Sequence, residues 1–161
     1  MDAALTLAWR HAAGTVMPED LPMAAAELLA ADLDSPALRD LAGRGRGDDT
    51  SELTALLAQA MDELGVTVPD DDTAGRCLLH HLAAEVVAGR VTAYEATHSL
   101  WFGMAAETRA EVAFMRAATE EDYLDDLLPG PFAAWERTLH SAALALVATD
   151  HPLGPAVSPP A

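Results

Sequence analysis

Six histidines and 26 carboxylates are the side chains of this chain best equipped for chemistry, and a few short spacings decide which chemistry that could be. His81 and Glu85 stand four apart, one helical turn, the spacing of two metal ligands or of a base and its orienting carboxylate. Glu95 and His98 form a Glu-x-x-His unit, which di-iron helix bundles use twice beside two further glutamates. The sequence holds one copy, because Glu136 and His140 are four apart rather than three. Adjacent His80 and His81 point about 100° apart on a helix, which argues against a shared ion. Tyr94, His98 and Trp101 recur at i, i+4 and i+7 with Phe102 beside them. Aromatic groups of this kind dominate interface hot spots, and stripes at this spacing also build cores.

Other groups carry less. Cys77 has no base beside it in sequence and reads as an inert thiol. Ser99 and Ser141 sit in helical stretches without a nucleophile elbow. Gly43-Arg44-Gly45-Arg46-Gly47 has the glycines and cations of an anion loop but no Lys-Ser/Thr after them, so it reads as a surface connection. Asp70, Asp71 and Asp72 lack the loop spacing of a calcium site and suit the positive end of a following helix.

Helical periodicity dominates the chain that must position these residues. Leu5, Trp9, Ala12 and Val16 share one face of a first helix that Gly14 and Pro18 should stop. A second helix is expected from about Pro22 to Leu33, burying Leu28 and Leu29. Ser35-Pro36 then starts a short one that ends at Gly43. Leu53, Leu56, Leu57, Ala60 and Leu64 make the stripe of a helix over Thr50 to Leu64, closed by Gly65. The segment from Thr73 to Ala88 buries Leu78, Leu79, Leu82 and Val86; that register turns His80 to solvent and puts His81 at the stripe edge. Thr92 and Glu95 have capping-box spacing for a helix through Phe102. Its Ala93, Ala96 and Leu100 oppose the aromatic stripe, so either both faces are buried and this is the central helix, or the aromatic face meets a partner. Ala105 to Ala118 reads as helix, Thr119 caps an acidic turn over Glu120 to Leu128, and Pro129-Gly130-Pro131 ends it. A last helix is expected from Pro131 to about Thr149, with Phe132, Trp135, Leu139, Ala142, Ala143 and Leu146 on one side.

The composition supports a core: 51% of residues are apolar, too many for a disordered acidic chain. A single cysteine excludes an internal disulfide and any multi-cysteine zinc site. All nine cations are arginine, and Lys, Ile and Asn are absent, as GC-rich coding would produce. The net charge of −17 disfavours direct binding to nucleic acid, whose phosphates require a basic patch, and favours solubility or a basic partner. Asp2, Arg10 and His11 interrupt what would have to be a signal sequence, and Ser141 to Thr149 is far too short to span a bilayer, so a cytoplasmic, membrane-free protein is expected.

The segment LPMAAAELLAADLDSPALRDLAG, Leu21 to Gly43, resembles small acidic helical proteins of high-GC actinobacteria, in which a charged stretch and a helix ending in Leu-Gly also follow. The resemblance spans the first half of the chain; it implies origin and a helical fold and transfers no functional residue.

The expectation is therefore an all-α protein of six to eight helices, one domain over 1–149 with a flexible proline-rich tail over 150–161, and no cofactor or metal. Its leading function is a non-catalytic interaction module of the immunity, antitoxin or adaptor type, binding a basic protein through its acidic surface and Tyr94, His98, Trp101 and Phe102. The alternatives are a small helical enzyme or metal protein centred on Glu95/His98 and His81/Glu85, or a structural subunit of a homo-oligomer.

Overall fold

The computed structural model describes residues 3–100, 103–120 and 129–154. Among these the chain is all-α: eight α-helices and one 3-10 turn, with no strand. Contacts divide it into two compact units, one within 3–74 and one within 75–154, with the boundary inside a helix.

The first unit holds α1 (Ala3–Ala12), the 3-10 turn η1 (Pro18–Asp20), α2 (Leu21–Ala30), α3 (Pro36–Ala42) and α4 (Thr50–Glu63). Helix α2 stops three residues short of the expected Leu33, because Asp32 takes the left-handed conformation at φ 62°. Aspartate is among the few non-glycine residues that tolerate that region, since its short side chain bonds locally. Helix α3 packs against both α2 and α4, which brings Leu38 and Leu41 into one apolar cluster with Leu21, Leu28, Leu53, Leu57 and Met61.

The start of α3 is capped twice. Ser35 Oγ accepts from Leu38 N at 3.2 Å, and Glu63 Oε2, reaching across from α4, accepts from Ala37 N at 2.9 Å. Gln59 Nε2 steadies that carboxylate by donating to Glu63 Oε1 at 2.9 Å. Removing an N-cap hydroxyl costs about 1 kcal/mol, so Ser35→Ala should lower the urea midpoint accordingly; an unchanged midpoint would show that Glu63 alone supplies the cap. The glycine-arginine segment after α3 is a surface connection, as expected: Arg44 bonds Asp40 at 3.2 Å and Glu52 at 3.4 Å, and Arg46 bonds Asp20 at 2.6 Å.

Helix α5 (Asp71–Val87) crosses the boundary, and the second unit continues with α6 (Ala93–His98), α7 (Arg109–Thr119) and α8 (Pro129–Val147). Asp70 accepts from Thr73 N at 2.7 Å, so the aspartate run starts a helix. Four consecutive residues of α5, Cys77 to His80, are buried. At about 100° per residue they cover most of the circumference. Helix α5, not α6, is thus the enclosed one.

Helix α6 has the expected capping box between Thr92 and Glu95 but ends at His98, not Phe102. Helix α7 starts four residues later than expected, at a second capping box between Thr108 and Glu111. Helix α8 opens at Pro129, two residues before the expected Pro131, since proline at the first helical position gives up an N–H that has no partner there. Trp135 and Leu139 of α8 pack with Phe114 and Ala117 of α7 in the buried set, and Trp135 Nε1 donates to Ala117 O at 2.9 Å. Residues 151–154, expected as flexible tail, form a turn closed by Gly154 N to His151 O at 2.8 Å. The expected acidic turn over 121–128 and the tail beyond 154 lie outside the described residues.

Candidate functional site

The most unusual chemistry in the second unit is a buried ionic cluster that sequence reasoning missed. Glu111 is fully buried. Its carboxylate takes four donors: Arg76 Nε at 3.0 and 3.1 Å, His80 Nε2 at 3.2 Å, Glu107 N at 2.8 Å and Thr108 N at 2.9 Å. Because an ionised carboxylate only accepts, the His80 proton on this side sits on Nε2. Arg76, its side chain 15% exposed, also reaches Glu107 at 2.6 Å. The ring of His151 lies edge-on to that of His80, centroids 5.3 Å apart and planes at 67°.

Each titrating group responds to this enclosure. Burial alone would raise Glu111, but bonds from the Thr108 and Glu107 amides, Arg76 and His80 outweigh it and hold the carboxyl down at about 2. Burial lowers His80 despite the opposing pull of Glu111. His151 is lowered further, to about 4, by burial and then by His80. Cys77, fully buried on the same helix, is pushed up to about 11 by burial, which keeps the thiol protonated and unreactive.

His80 therefore requires a correction: the sequence register turned it to solvent, and it is 6% exposed. The register assumed one buried stripe on α5, whereas nearly all faces of that helix are covered.

No family model, curated protein or solved structure matches this chain. The function has to be read from its own residues.

The sequence-derived pairs divide clearly. Glu85 is engaged by Arg90, whose Nε and Nη2 donate to it at 2.8 and 2.7 Å. Glu95 is spent on the capping box, accepting from Thr92 N at 2.9 Å and Thr92 Oγ1 at 2.8 Å, and those bonds lower its pKa. Among the described residues no group of three or more His, Cys, Asp or Glu side chains stands where it could hold a metal ion. Glu136 and His140 line, with Arg137, a groove of about 520 Å³ walled by Val86, Ala93 and Leu144.

The aromatic face of α6 is partly described. Ala93 and Ala96 are buried while Tyr94 and His98 are exposed, Tyr94 to 50%. Their rings stack at 4.1 Å between centroids, and His98 Nδ1 donates to Tyr94 O at 2.9 Å. Of the two arrangements open from sequence, the alanine side is therefore the inward one at these positions. Trp101 and Phe102 lie outside the described residues.

Proposed function

We propose that this chain is a non-catalytic protein-interaction module that docks a basic protein partner through its acidic surface and the aromatic face of α6. The observation that carries this reading is the Tyr94–His98 stack: a half-exposed aromatic side chain held in place before any partner arrives. Ordering a contact residue in advance removes part of the entropic cost of association. Trp101 and Phe102 belong to the same proposed face by their sequence register.

Charge supports the choice of partner. Among the described residues, the arginines at 39, 44, 46, 76, 90 and 116 pair with carboxylates of this chain, and over the whole sequence acids outnumber cations 26 to nine. The remaining acidic field attracts a basic surface and repels a phosphate backbone. No described helix is long and apolar enough to cross a membrane, and we propose a cytoplasmic partner protein rather than a lipid surface.

The test compares wild-type and Tyr94→Ala baits in the native lysate, washed at about 50 mM and about 500 mM salt, a range across which the screening length shortens severalfold. A basic protein held by wild type at low salt, shed at high salt and depleted on the variant is expected. With the partner purified, Tyr94→Ala should weaken binding by about tenfold, the scale of an aromatic hot spot. Equal recovery by both baits, or retention indifferent to salt, would sink the reading.

A further inference from the structure

We propose that the turn over 151–154 is a proton-operated latch, held shut by neutral His151 against His80 and released when His151 takes a proton. The decisive contact is Leu153 N donating to His151 Nδ1 at 3.3 Å. In this geometry Nδ1 is the acceptor, so the single proton of the neutral ring is on Nε2. A proton taken up from solvent must go onto Nδ1. It occupies the lone pair that Leu153 N–H uses and sets two donors against each other inside the turn.

The described groups around the ring are already committed to one another. From α5, His80 faces the ring directly, with Arg76 one turn earlier on that helix and bonded to the same Glu111. From α7 the carboxylate is Glu111, which already serves four donors, and Glu107 is drawn to Arg76. The imidazolium is better solvated outside, and leaving takes the Gly154 N to His151 O bond with it. Departure of the turn uncovers His80 and gives water a route to the Glu111 carboxylate. Burial and the neighbouring His80 both lower the proton affinity of His151, in keeping with a latch closed at neutral pH.

The test is an NMR titration of the full chain from about pH 7.5 to about pH 4, spanning the ordinary histidine range. It follows the His80 and His151 ring Cε1–H signals and the exchange protection of the Leu153 and Gly154 amides, corrected for intrinsic exchange. Protection should drop by about tenfold or more as His151 titrates, with the His80 ring signal moving in step, while the Phe114 amide in α7 keeps its protection. His151→Phe keeps an aromatic edge but cannot be protonated, and its pH-dependent loss should disappear. A His151 that titrates near 6.5 without disturbing His80, or Gly154 protection lost only together with Phe114, would overturn the latch. Should His151→Phe fail to fold, the wild-type titration decides alone.

Discussion

Replacing Glu111 with alanine should cost at least about 3 kcal/mol of unfolding free energy, the low end of the 3–5 kcal/mol for breaking a buried ion pair. Glu95→Ala should cost clearly less, because its carboxylate is exposed and water can take its place at the Thr92 amide. Both glutamates are the third residue of a capping box, on α7 and α6 respectively. They differ in what else depends on them. Glu95 is exposed and bonds only Thr92 in its cap, whereas Glu111 is fully buried and also accepts from Arg76 and His80 of α5. Alanine at 111 leaves a mostly buried guanidinium with Glu107 as its remaining carboxylate among the described residues, and that exposed partner is why the low end applies. Urea unfolding of the two variants side by side checks this. Equal losses in the two variants would mean that Glu111 acts as a cap and nothing more.

The second large effect is a loss of stability in acid that arrives in two stages. His80 and His151 have folded-state affinities for protons below the ordinary histidine value of 6.5. The unfolded chain therefore binds more protons as pH falls, and the contribution of the neutral histidines is complete above about 6.5 and eroded toward about 4, the value for His151. Solvent screening of the half-buried ring limits this stage to about 1 kcal/mol. Glu111 follows. Its contribution is complete above its ordinary 4.5 and disappears as pH falls to about 2. A shift of that size corresponds to about 3 kcal/mol at about 1.4 kcal/mol per unit. Relief of the −17 self-repulsion on acidification works in the opposite direction over the whole range. The measurement is therefore differential: urea midpoints from pH 8 to 2, wild type against Glu111→Ala and His151→Phe. The alanine variant should lack the lower stage and the phenylalanine variant most of the upper one. Parallel curves for all three would show that neither group is held as described.

Local signals carried much of this architecture into the sequence. Ser35-Pro36, the Gly43 stop, and the Thr92–Glu95 box act over three or four residues, and each is where its residue types place it. The Thr108–Glu111 box has the same spacing and was legible too, and the expected start at Ala105 overlooked it. The Glu111 cluster was not legible. His80 and Arg76 meet that carboxylate across 31 and 35 residues, and no periodicity within α5 encodes a partner on another helix. The burial of His80 was missed for a related reason. A stripe of leucines says which side faces the core, but small residues such as Ala74 and Ala83 let neighbours close over the other sides, and smallness leaves no periodic signal. The α6 face was legible at Tyr94 and His98 because alanines and aromatics separate cleanly around a short helix.

The double cap on α3 has a consequence for how the first unit comes to order. Seven residues are too few for a helix to hold itself in water, where nucleation outweighs the handful of bonds gained. One of its two caps is the side chain of Glu63, near the far end of α4, and the leucines it buries meet those of α2 and α4. Helix α3 is therefore conditional: its sequence acquires a shape when α4 is present to receive it. In binding terms α3 behaves as a tethered ligand of its neighbours, and its helicity is an occupancy.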